Sequence, residues 1–363
     1  MDYELIKNRL APCGLHCGKC FAFKDGDFAK SSRALKNDLG EFSIYAKRFI
    51  AINSDKDVFS FLELIRKTEK PFLFLGGGSN ILFSKNFDGI IGKINTKGIR
   101  IVEEDDNHVI IKIKAGEEWD NLVEFCANNN FTGIENMSMI PGTCGAAPIQ
   151  NIGAYGTELK DVLIELEAIE LENRKTKTFL NSDCEFGYRS SIFKNKLKGK
   201  FLITSITLKL SKKPDFAKLY DPVKEELKKM GVKKLSADQI RKVVCNIRRR
   251  KLPDPLELGN AGSFFKNPVI SNSQFQEIKK QYPEIRSFSQ DNNMVKRSAA
   301  QLIELCGWKA KKIGNVGTHK NQALVIVNYG GASGEEIISF ANMIRLSVFE
   351  KFGIELENEV NQV

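Results

Sequence analysis

The sequence predicts an α+β fold with separate sheets rather than one doubly wound sheet. Short strand-like apolar stretches and amphipathic stretches of helical period follow each other without regular strand–helix alternation. Three glycine-rich loops, at 76–80, 133–156 and 259–268, divide these stretches. The chain carries no internal repeat and no low-complexity tract. Its 363 residues exceed the ~100–200 of a typical domain, so two or three domains are expected.

The elements predicted before residue 215 flank the first two loops. Strands are predicted at 49–52, 72–75, 109–114, 163–171 and 201–210. Helices are predicted at 57–68 and 117–128. Apolar residues alternate along 109–114, which is typical of a half-buried strand. Trp119, Leu122 and Phe125 recur at helical spacing and support the second helix.

Helices predominate in the elements predicted after residue 215. They are predicted at 222–230, 236–250, 275–281, 296–306 and 333–352, with a strand at 322–327. Pro222 lies in the first turn of its helix, which is a favoured place for proline. Ser236 is a predicted N-cap, and Asp238 follows early in the first turn. The stretch 259–268 is predicted to be a third polar loop.

Composition limits the classes of function. The net charge is +10, with 55 Lys and Arg against 45 Asp and Glu, yet only 248–251 forms a dense basic cluster. No basic–aromatic motif accompanies it, so an anionic small molecule is favoured over nucleic acid. No apolar run approaches the ~18 residues of a membrane span, and the N-terminus lacks a signal-peptide core. Eight scattered cysteines suit a reducing compartment. We therefore expect a cytoplasmic protein without a membrane partner.

The first 46 residues differ from the rest of the chain. Cys13, Cys17 and Cys20 form a C-x3-C-x2-C pattern that encloses His16. Such a set can bind zinc tetrahedrally, and its spacing also occurs at the iron–sulfur site of radical-SAM enzymes. Three reduced cysteines in a small helical segment explain it equally well. The segment loosely resembles the opening of a cysteine-rich domain of unknown function.

Two of the glycine loops together predict a site for one large cofactor. The first follows an apolar strand, and its three successive glycines can form an anion-binding nest of backbone N–H groups. Ser79 and Asn80 add side-chain donors. The second loop is stiffened by Pro141 and Pro148 and carries neutral polar groups. Such a loop suits a flat cofactor with a pyrophosphate or a heteroaromatic edge, although a structural turn is the alternative.

Four separated motifs carry a family resemblance. They are LGGGSNIL, IPGTCGAAPIQNIGAYG, CEFGYRSSIFK and NAGSFFKNP, and LPDP, CGWK and LENEV extend them. In this order they resemble the UDP-N-acetylenolpyruvoylglucosamine reductase family over about 47–363. The resemblance implies a vanillyl-alcohol-oxidase-like FAD-binding module of two α+β subdomains followed by an α+β substrate-binding domain. The implied domains are 47–212 completed by 354–363, and 213–353, after the cysteine-containing segment 1–46.

The resemblance also implies an activity. The family uses NADPH to reduce the enolpyruvyl ether of UDP-N-acetylglucosamine to UDP-N-acetylmuramate, a step of peptidoglycan precursor synthesis, and FAD relays the hydride. We expect a monomer. The alternative is a flavin-free metal-binding or regulatory protein on a degenerate reductase scaffold. Covalent flavin attachment through histidine is not expected, because His16, His108 and His319 all lie outside the flavin loops.

The site residues implied by the resemblance fall into three sets. The catalytic set is Arg189 and Glu359, which stabilise an enolate, and Ser263, which donates the proton. Glu359 acts either through its protonated form or through Arg189. The cofactor-binding set is Gly76, Gly77, Gly78, Ser79, Asn80, Ile81, Leu82, Ile140, Pro141, Gly142, Thr143, Gly145, Gln150, Asn151, Ile152, Gly153, Ala154 and Tyr155. The substrate-binding set is Tyr220, Lys251, Asn267, Lys309 and Gln322.

The chain departs from the family pattern at three places. The usual opening strand with an N-T-F motif is absent, and the cysteine-containing segment stands in its place. Asn358 replaces a proline before Glu359, and Ser190 replaces an aspartate after Arg189. None of these changes removes a predicted catalytic group.

Overall fold

The computed structural model describes residues 46–215, 219–232, 235–285, 287–289 and 294–363. Two compact units make up this part of the chain: the first unit holds 47–77 and 88–249, and the second unit holds 78–87 and 250–363. No helix among the described residues is long and apolar enough to span a bilayer. The predicted cysteine site at Cys13, Cys17 and Cys20 lies outside the described residues. The predicted domain boundaries stay a prediction.

The helices and strands of the described residues are numbered in chain order. The helices are α1 (Asp55–Thr68), α2 (Trp119–Asn128), α3 (Asp221–Lys229), α4 (Ala237–Lys251), α5 (Asn272–Gln281), α6 (Ala299–Leu305) and α7 (Gly334–Phe352). The strands are β1 (Ala46–Ile52), β2 (Phe72–Leu75), β3 (Ile81–Leu82), β4 (Phe87–Ile94), β5 (Ile99–Glu104), β6 (His108–Lys114), β7 (Gly153–Ala154), β8 (Thr157–Glu158), β9 (Leu163–Glu170), β10 (Thr176–Leu180), β11 (Phe201–Ser211), β12 (Gly259–Ser263), β13 (Val269–Ser271), β14 (Ser287–Ser289), β15 (Met294–Arg297), β16 (Lys312–Ile313), β17 (Val316–His319), β18 (Gln322–Asn328) and β19 (Asn361–Gln362).

A small sheet opens the first unit. Its strand order is β1-β4-β2, and β2 runs parallel to β4. Helix α1 begins with a capping box, in which Ser54 and Asp57 each accept a backbone N–H of the other. Phe61 of this helix is buried with Ile52 and Ile90 of the sheet. The first glycine loop leaves this packed layer at the end of β2.

A five-stranded antiparallel sheet forms the main core of the first unit. Its order is β10-β9-β11-β6-β5. Every second side chain of β6 is buried, which confirms the alternation expected from sequence. Trp119 and Leu122 of α2 are buried with Ile111 of β6. Burying an apolar side chain of this size contributes roughly 1.5–3 kcal/mol, so this layer is a firm base for the second glycine loop, which follows α2.

Helices α3 and α4 pack on each other in the first unit. Their apolar cluster contains Val223 and Leu227 from α3, and Ile240, Val244 and Ile247 from α4. The predicted N-cap of α4 is confirmed, because the Ser236 hydroxyl accepts from the Gln239 N–H at 3.3 Å.

The second unit contains two further sheets and a strand pair. Their orders are β12-β18-β17-β16 and β13-β15-β14, and β19 pairs with β3 in parallel. Helix α7 begins at a capping box of Ser333 and Glu336, and its Phe340 packs edge-on against Trp308, with ring centroids 5.3 Å apart. This unit and the first keep strands and helices in separate groups, which confirms the predicted α+β class.

Two sequence predictions were wrong. The stretch 259–268 begins with a strand, β12, because pairing with β18 satisfies its backbone despite its poor strand composition. The predicted helix 296–306 starts too early, since Lys296 and Arg297 belong to β15. Ser298 ends that strand and caps α6, where its hydroxyl accepts from the Gln301 N–H at 3.3 Å.

Candidate active site

The two predicted flavin loops touch each other in the first unit. A Cβ on Gly77 would lie 2.6 Å from the Cα of Gly142, and one on Gly76 would lie 2.6 Å from the Thr143 hydroxyl. Such separations exclude side chains, so glycine is required for this approach of two backbones. The Lys93 ammonium also donates to the Gly76 carbonyl. The first unit therefore brings the start of the first loop against the middle of the second.

The second loop is fixed to the sheet and to α2 by backbone hydrogen bonds. Cys144 donates to the Glu117 carbonyl at 2.8 Å, and Gly145 donates to the Ala115 carbonyl at 2.9 Å. The Trp119 N–H in turn donates to the Gly142 carbonyl at 3.0 Å. Residues 140–145 therefore form a rigid segment, which we call the ledge. The prolines and glycines of the second loop predicted this rigidity.

Asn151 holds the far part of the same loop. It is fully buried, and its amide donates to a Glu158 carboxylate oxygen at 2.9 Å and to the Gly187 carbonyl at 3.1 Å. Its carbonyl oxygen accepts from the Lys160 N–H at 3.0 Å. The side chain thus makes internal hydrogen bonds at both ends, which favours a structural contribution to the predicted cofactor loop.

Arg189 is attached to the same loop. Its guanidinium donates to the Gly153 carbonyl at 2.8 Å and lies 5.3 Å from the centre of the Tyr188 ring. The Lys194 ammonium donates to the Arg189 carbonyl at 3.2 Å and to the Gln150 side chain at 3.4 Å. Arg189 has a positive φ of 51°, an uncommon conformation for a non-glycine residue. The predicted carboxylate-binding cation is therefore held next to Gln150 and Gly153 of the predicted flavin loop.

A tyrosine pair and a half-buried arginine lie beside the end of the loop. The rings of Tyr155 and Tyr220 are 6.1 Å apart and tilted, and Tyr155 hydrogen-bonds Arg248. Burial raises the pKa of the Tyr155 hydroxyl, although the nearby Arg248 charge opposes this. Burial lowers the pKa of Arg248. A predicted flavin residue and a predicted nucleotide residue thus meet within the first unit.

Sequence reasoning missed a clamp on the peptide of Met139. The Met139 N–H donates to Asp120 at 2.5 Å, and its carbonyl accepts from Arg248 at 3.2 Å. Arg241 binds both oxygens of Asp120, at 2.6 and 3.1 Å. Arg241 and Arg248 are seven residues apart on α4, so they share a face of the helix. That spacing was the signal available in the sequence.

The second unit brings together two predicted catalytic residues and part of the first loop. Ser263 ends β12, and the next carbonyl, of Phe264, accepts from the Glu359 N–H at 2.8 Å. The Asn80 side chain donates to the Glu359 carbonyl at 3.2 Å. Ser263 and Glu359 are both half-buried. Residues 279 positions apart are thereby linked at one place in the fold.

The substrate-binding predictions occupy several elements. Lys251 ends α4, and Gln322 begins β18. The Asn267 side chain accepts from the Ala299 N–H at the start of α6, at 2.9 Å. The exposed Lys309 ammonium is 3.2 Å from Glu304. The structure therefore gives Asn267 a helix contact and Lys309 an ion pair, and their contact with substrate stays a prediction.

Comparison with known proteins decides the family. Residues 46–175 match the model of an FAD binding domain, and residues 254–363 match the UDP-N-acetylenolpyruvoylglucosamine reductase C-terminal domain. A UDP-N-acetylenolpyruvoylglucosamine reductase of Flavobacterium johnsoniae is 46% identical over 337 residues, which cover 92% of this chain and 99% of that protein. One of Pseudomonas syringae pv. syringae is 43% identical over 318 residues, 88% of this chain and 94% of that protein.

The chain belongs to the UDP-N-acetylenolpyruvoylglucosamine reductase family. A crystal structure of such a reductase from Thermus caldophilus has the same fold, with a TM-score of 0.57, 22% identity, and coverage of 86% of this chain and 91% of that one. The family resemblance and the predicted fold class, an FAD-binding module of the vanillyl-alcohol-oxidase type with a reductase C-terminal domain, are confirmed.

The residues present in this family member fit FAD. The close approach of Gly76 and Gly77 to the ledge at Gly142 leaves backbone N–H groups uncovered by side chains, which is the chemistry that a pyrophosphate requires. Gly78 has a positive φ of 74°, the turn that a nest of N–H groups uses. Individual residue assignments to the cofactor stay predictions. Arg189 belongs to the first unit and Ser263 and Glu359 to the second, so their grouping also stays a prediction.

Proposed function

We propose that this chain uses FAD and NADPH to reduce the enolpyruvyl ether of UDP-N-acetylglucosamine to UDP-N-acetylmuramate. The observation that carries the proposal is the backbone pairing of Phe264 with Glu359, which sets the serine and the carboxylate of this reaction on adjacent segments. The near full-length similarity to reductases of that name supports it. The flavin-free alternative has no observation in its favour within the described part of the chain.

FAD would be held by Gly76–Leu82 and by two segments of the second loop, Ile140–Gly145 and Gln150–Tyr155. When bound, it supplies to the substrate a hydride that it first takes from NADPH. The protein contributes the shape that receives it. The glycine backbones leave room for the pyrophosphate, and the ledge at 140–145 is stiff enough to fix the cofactor against a firm core.

Arg189 would bind the carboxylate of the enolpyruvyl group. Addition of a hydride to the double bond leaves a negative charge on the carbon next to that carboxylate, and this charge is shared with the carboxylate as an enolate. A guanidinium is permanently cationic and binds a carboxylate through two parallel hydrogen bonds. The Gly153 carbonyl holds one terminal nitrogen of Arg189, so the group is oriented before the substrate arrives. This orientation favours stabilisation of the developing charge.

Ser263 would deliver the proton to the same carbon. A hydroxyl is a weak acid, but an enolate is a strong base, and a positioned donor typically contributes ~10²–10⁴-fold. Glu359 would complete the enolate pocket from the neighbouring segment. The Phe264 carbonyl accepts from the Glu359 N–H, and the Asn80 amide donates to the Glu359 carbonyl. These two bonds fix the backbone from which the Glu359 side chain extends.

The nucleotide end of the substrate would be bound by the remaining predicted residues. These are Tyr220, Lys251, Asn267, Lys309 and Gln322. Lys251 is exposed at the end of α4 and suits a phosphate as a point charge. We further propose that the protein acts as a monomer in the cytoplasm, in peptidoglycan precursor synthesis.

The absorbance spectrum of the purified protein tests this function. We expect a yellow protein with flavin bands that NADPH bleaches and that the enolpyruvyl nucleotide restores in the absence of oxygen. UDP-N-acetylglucosamine, which lacks the enolpyruvyl group, is the matched control and should not restore the colour. A colourless preparation that takes up no added FAD would refute the proposal. Bleached flavin whose colour the enolpyruvyl nucleotide does not restore would refute the proposed substrate.

A further inference from the structure

The turn between β17 and β18 contacts the last two residues of α4. The Asn321 amide donates to the Arg250 carbonyl at 3.0 Å, and the His319 imidazole hydrogen-bonds the backbone of Lys251. All four residues belong to the second unit. The last carbonyls of a helix lack partners within the helix, so these two donors supply them. The turn therefore fixes the backbone from which the Lys251 side chain extends.

The imidazole of His319 is held in one protonation state. The ring is 8% exposed, and its Nδ1 is buried without a hydrogen-bond partner among the described residues. The bond to the Lys251 carbonyl is therefore made by Nε2, which must carry the proton. Burial lowers the pKa of His319, and the Lys320 charge lowers it further, whereas the bond to Lys251 opposes both, so the balance favours the neutral ring. His319 is a rigid neutral donor to Lys251.

The same turn also sets the position of Gln322. His319 and Gln322 face each other across the antiparallel pair of β17 and β18. One short hairpin therefore carries both Gln322 and the His319 ring, which hydrogen-bonds the backbone of Lys251. Both Lys251 and Gln322 belong to the predicted substrate-binding set, although they are 71 positions apart by their numbers in the chain. A rigid link between two such residues fixes the spacing at which a ligand meets them.

We propose that His319 is a positioning residue for the nucleotide diphosphate, which it serves by holding Lys251 at a fixed distance from Gln322. This inference rests on the proposed function and assigns to it a residue that does not touch the substrate. Lysine carries its charge on a flexible four-carbon stem, so the placement of its backbone decides how much freedom the ammonium must lose on binding. Loss of the His319 contact should weaken nucleotide binding and leave the chemical step intact.

The test compares two replacements of His319. His319→Phe keeps an aromatic ring and removes the donor, whereas His319→Gln retains an N–H donor. We expect His319→Phe to raise the KM for the enolpyruvyl nucleotide and the Kd for UDP roughly tenfold, as for the loss of one hydrogen bond, with kcat changed less than about twofold. His319→Gln should restore most of the affinity. The exposed His108→Phe in β6 is the matched control and should change neither constant.

A second measurement asks whether His319 acts through Lys251. In a Lys251→Met background, His319→Phe should have almost no further effect on UDP affinity, because the cation that it positions is gone. Equal effects of His319→Phe in both backgrounds would overturn the proposal. So would a loss of FAD content in His319→Phe with normal UDP affinity. If the wild-type protein binds FAD but neither UDP nor the enolpyruvyl nucleotide, the proposed function fails, and this inference fails with it.

Discussion

The two units hold their predicted site residues by different means. In the first unit, loop meets loop: Gly77 touches Gly142, and buried polar side chains such as Asn151 keep the turns in shape. In the second unit, strand-like segments pair over a long sequence separation, as Phe264 does with Glu359. The loops offer backbone N–H groups and exclude side chains, which suits a cofactor that stays bound. The paired segments present a hydroxyl and a carboxyl, which suits a reaction.

The largest expected effect is on the rate of flavin reoxidation when Ser263, at the paired segments of the second unit, is replaced. Ser263→Ala should slow the reoxidation of reduced flavin by the enolpyruvyl nucleotide by ~10²–10⁴-fold, because it removes the proton donor. Bleaching by NADPH should keep its wild-type rate. Stopped-flow absorbance measures both half-reactions separately. Ser339→Ala, at an exposed position in α7, is the matched control. Equal slowing of both half-reactions would contradict the assignment.

Disruption of the contact between the two glycine loops should reduce cofactor binding. Gly77→Ala would place a Cβ against the Gly142 backbone, which cannot move as a side chain could. We expect a loss of about 3 kcal/mol in the free energy of unfolding and a largely flavin-free protein. Urea unfolding and the ratio of flavin to protein absorbance measure these effects. Gly187→Ala meets only the Ser190 Cβ at 3.6 Å and should keep its flavin. A fully yellow Gly77→Ala protein would show that the loops do not need this approach.

The clamp on the Met139 peptide predicts different effects for the replacement of two neighbouring arginines, Arg248 and Arg249. Arg248→Met leaves the carbonyl of the half-buried Met139 without this donor and should cost about 1 kcal/mol of unfolding free energy, as is usual for the loss of one hydrogen bond. Arg249→Met, at an exposed position, should cost less than about 0.5 kcal/mol. Urea unfolding of both variants checks the difference. Equal costs would indicate that the clamp does not stabilise the loop.

The smallest effects concern pH and have opposite signs in the two units. In the first unit, burial raises the pKa of Glu135 above its ordinary 4.5, although backbone N–H groups oppose this, so its contribution to stability is lost as pH rises from about 4.5 towards the folded-state pKa. In the second unit, burial lowers the pKa of His319 below its ordinary 6.5, so its contribution is lost as pH falls from about 6.5.

Melting temperatures of variants between pH 4.5 and 8 separate these two contributions. Glu135→Gln should remove part of the fall in melting temperature that occurs as the pH is raised. His319→Gln should remove part of the fall that occurs as the pH is lowered. Glu103→Gln, at an exposed position in β5, is the control and should follow the wild type. Curves of all three variants parallel to the wild type would contradict the assignment.

The fold was predicted best where apolar periodicity is strong. The alternation of β6 and the helical spacing of α2 located both elements to within two residues. Pairing between distant segments left no such signal. Gly-Asn-Ala-Gly-Ser at 259–263 has the composition of a turn, and only β18 makes it a strand. The short β15 was hidden for the same reason in a predicted helix, because its partners are other short strands.

The candidate site followed the same division. Motifs indicated which residues to consider, but composition could not tell whether Asn151 faces a ligand or the protein, and the structure shows its side chain bonded to Glu158, Lys160 and Gly187. The basic cluster 248–251 was visible, yet only the phase of α4 distinguishes the half-buried Arg248 from the exposed Arg249. The His319 contact could not be predicted, because it depends on where one hairpin turn lies beside the end of α4.

The bonds that join Asn80 to Glu359 have a consequence for biosynthesis. A ribosome delivers Asn80 long before Glu359, and 279 positions separate them. Until the later segment emerges, β3 has no strand to pair with, and the Asn80 side chain lacks the Glu359 carbonyl that accepts its hydrogen bond. The nascent chain can therefore form the contact between Gly77 and Gly142 early, whereas residues 80–82 of the first loop gain their partners only when the distant segment arrives. An unfinished polypeptide would therefore be expected to bind flavin weakly, because the predicted cofactor-binding residues Asn80, Ile81 and Leu82 pair with residues 359–362.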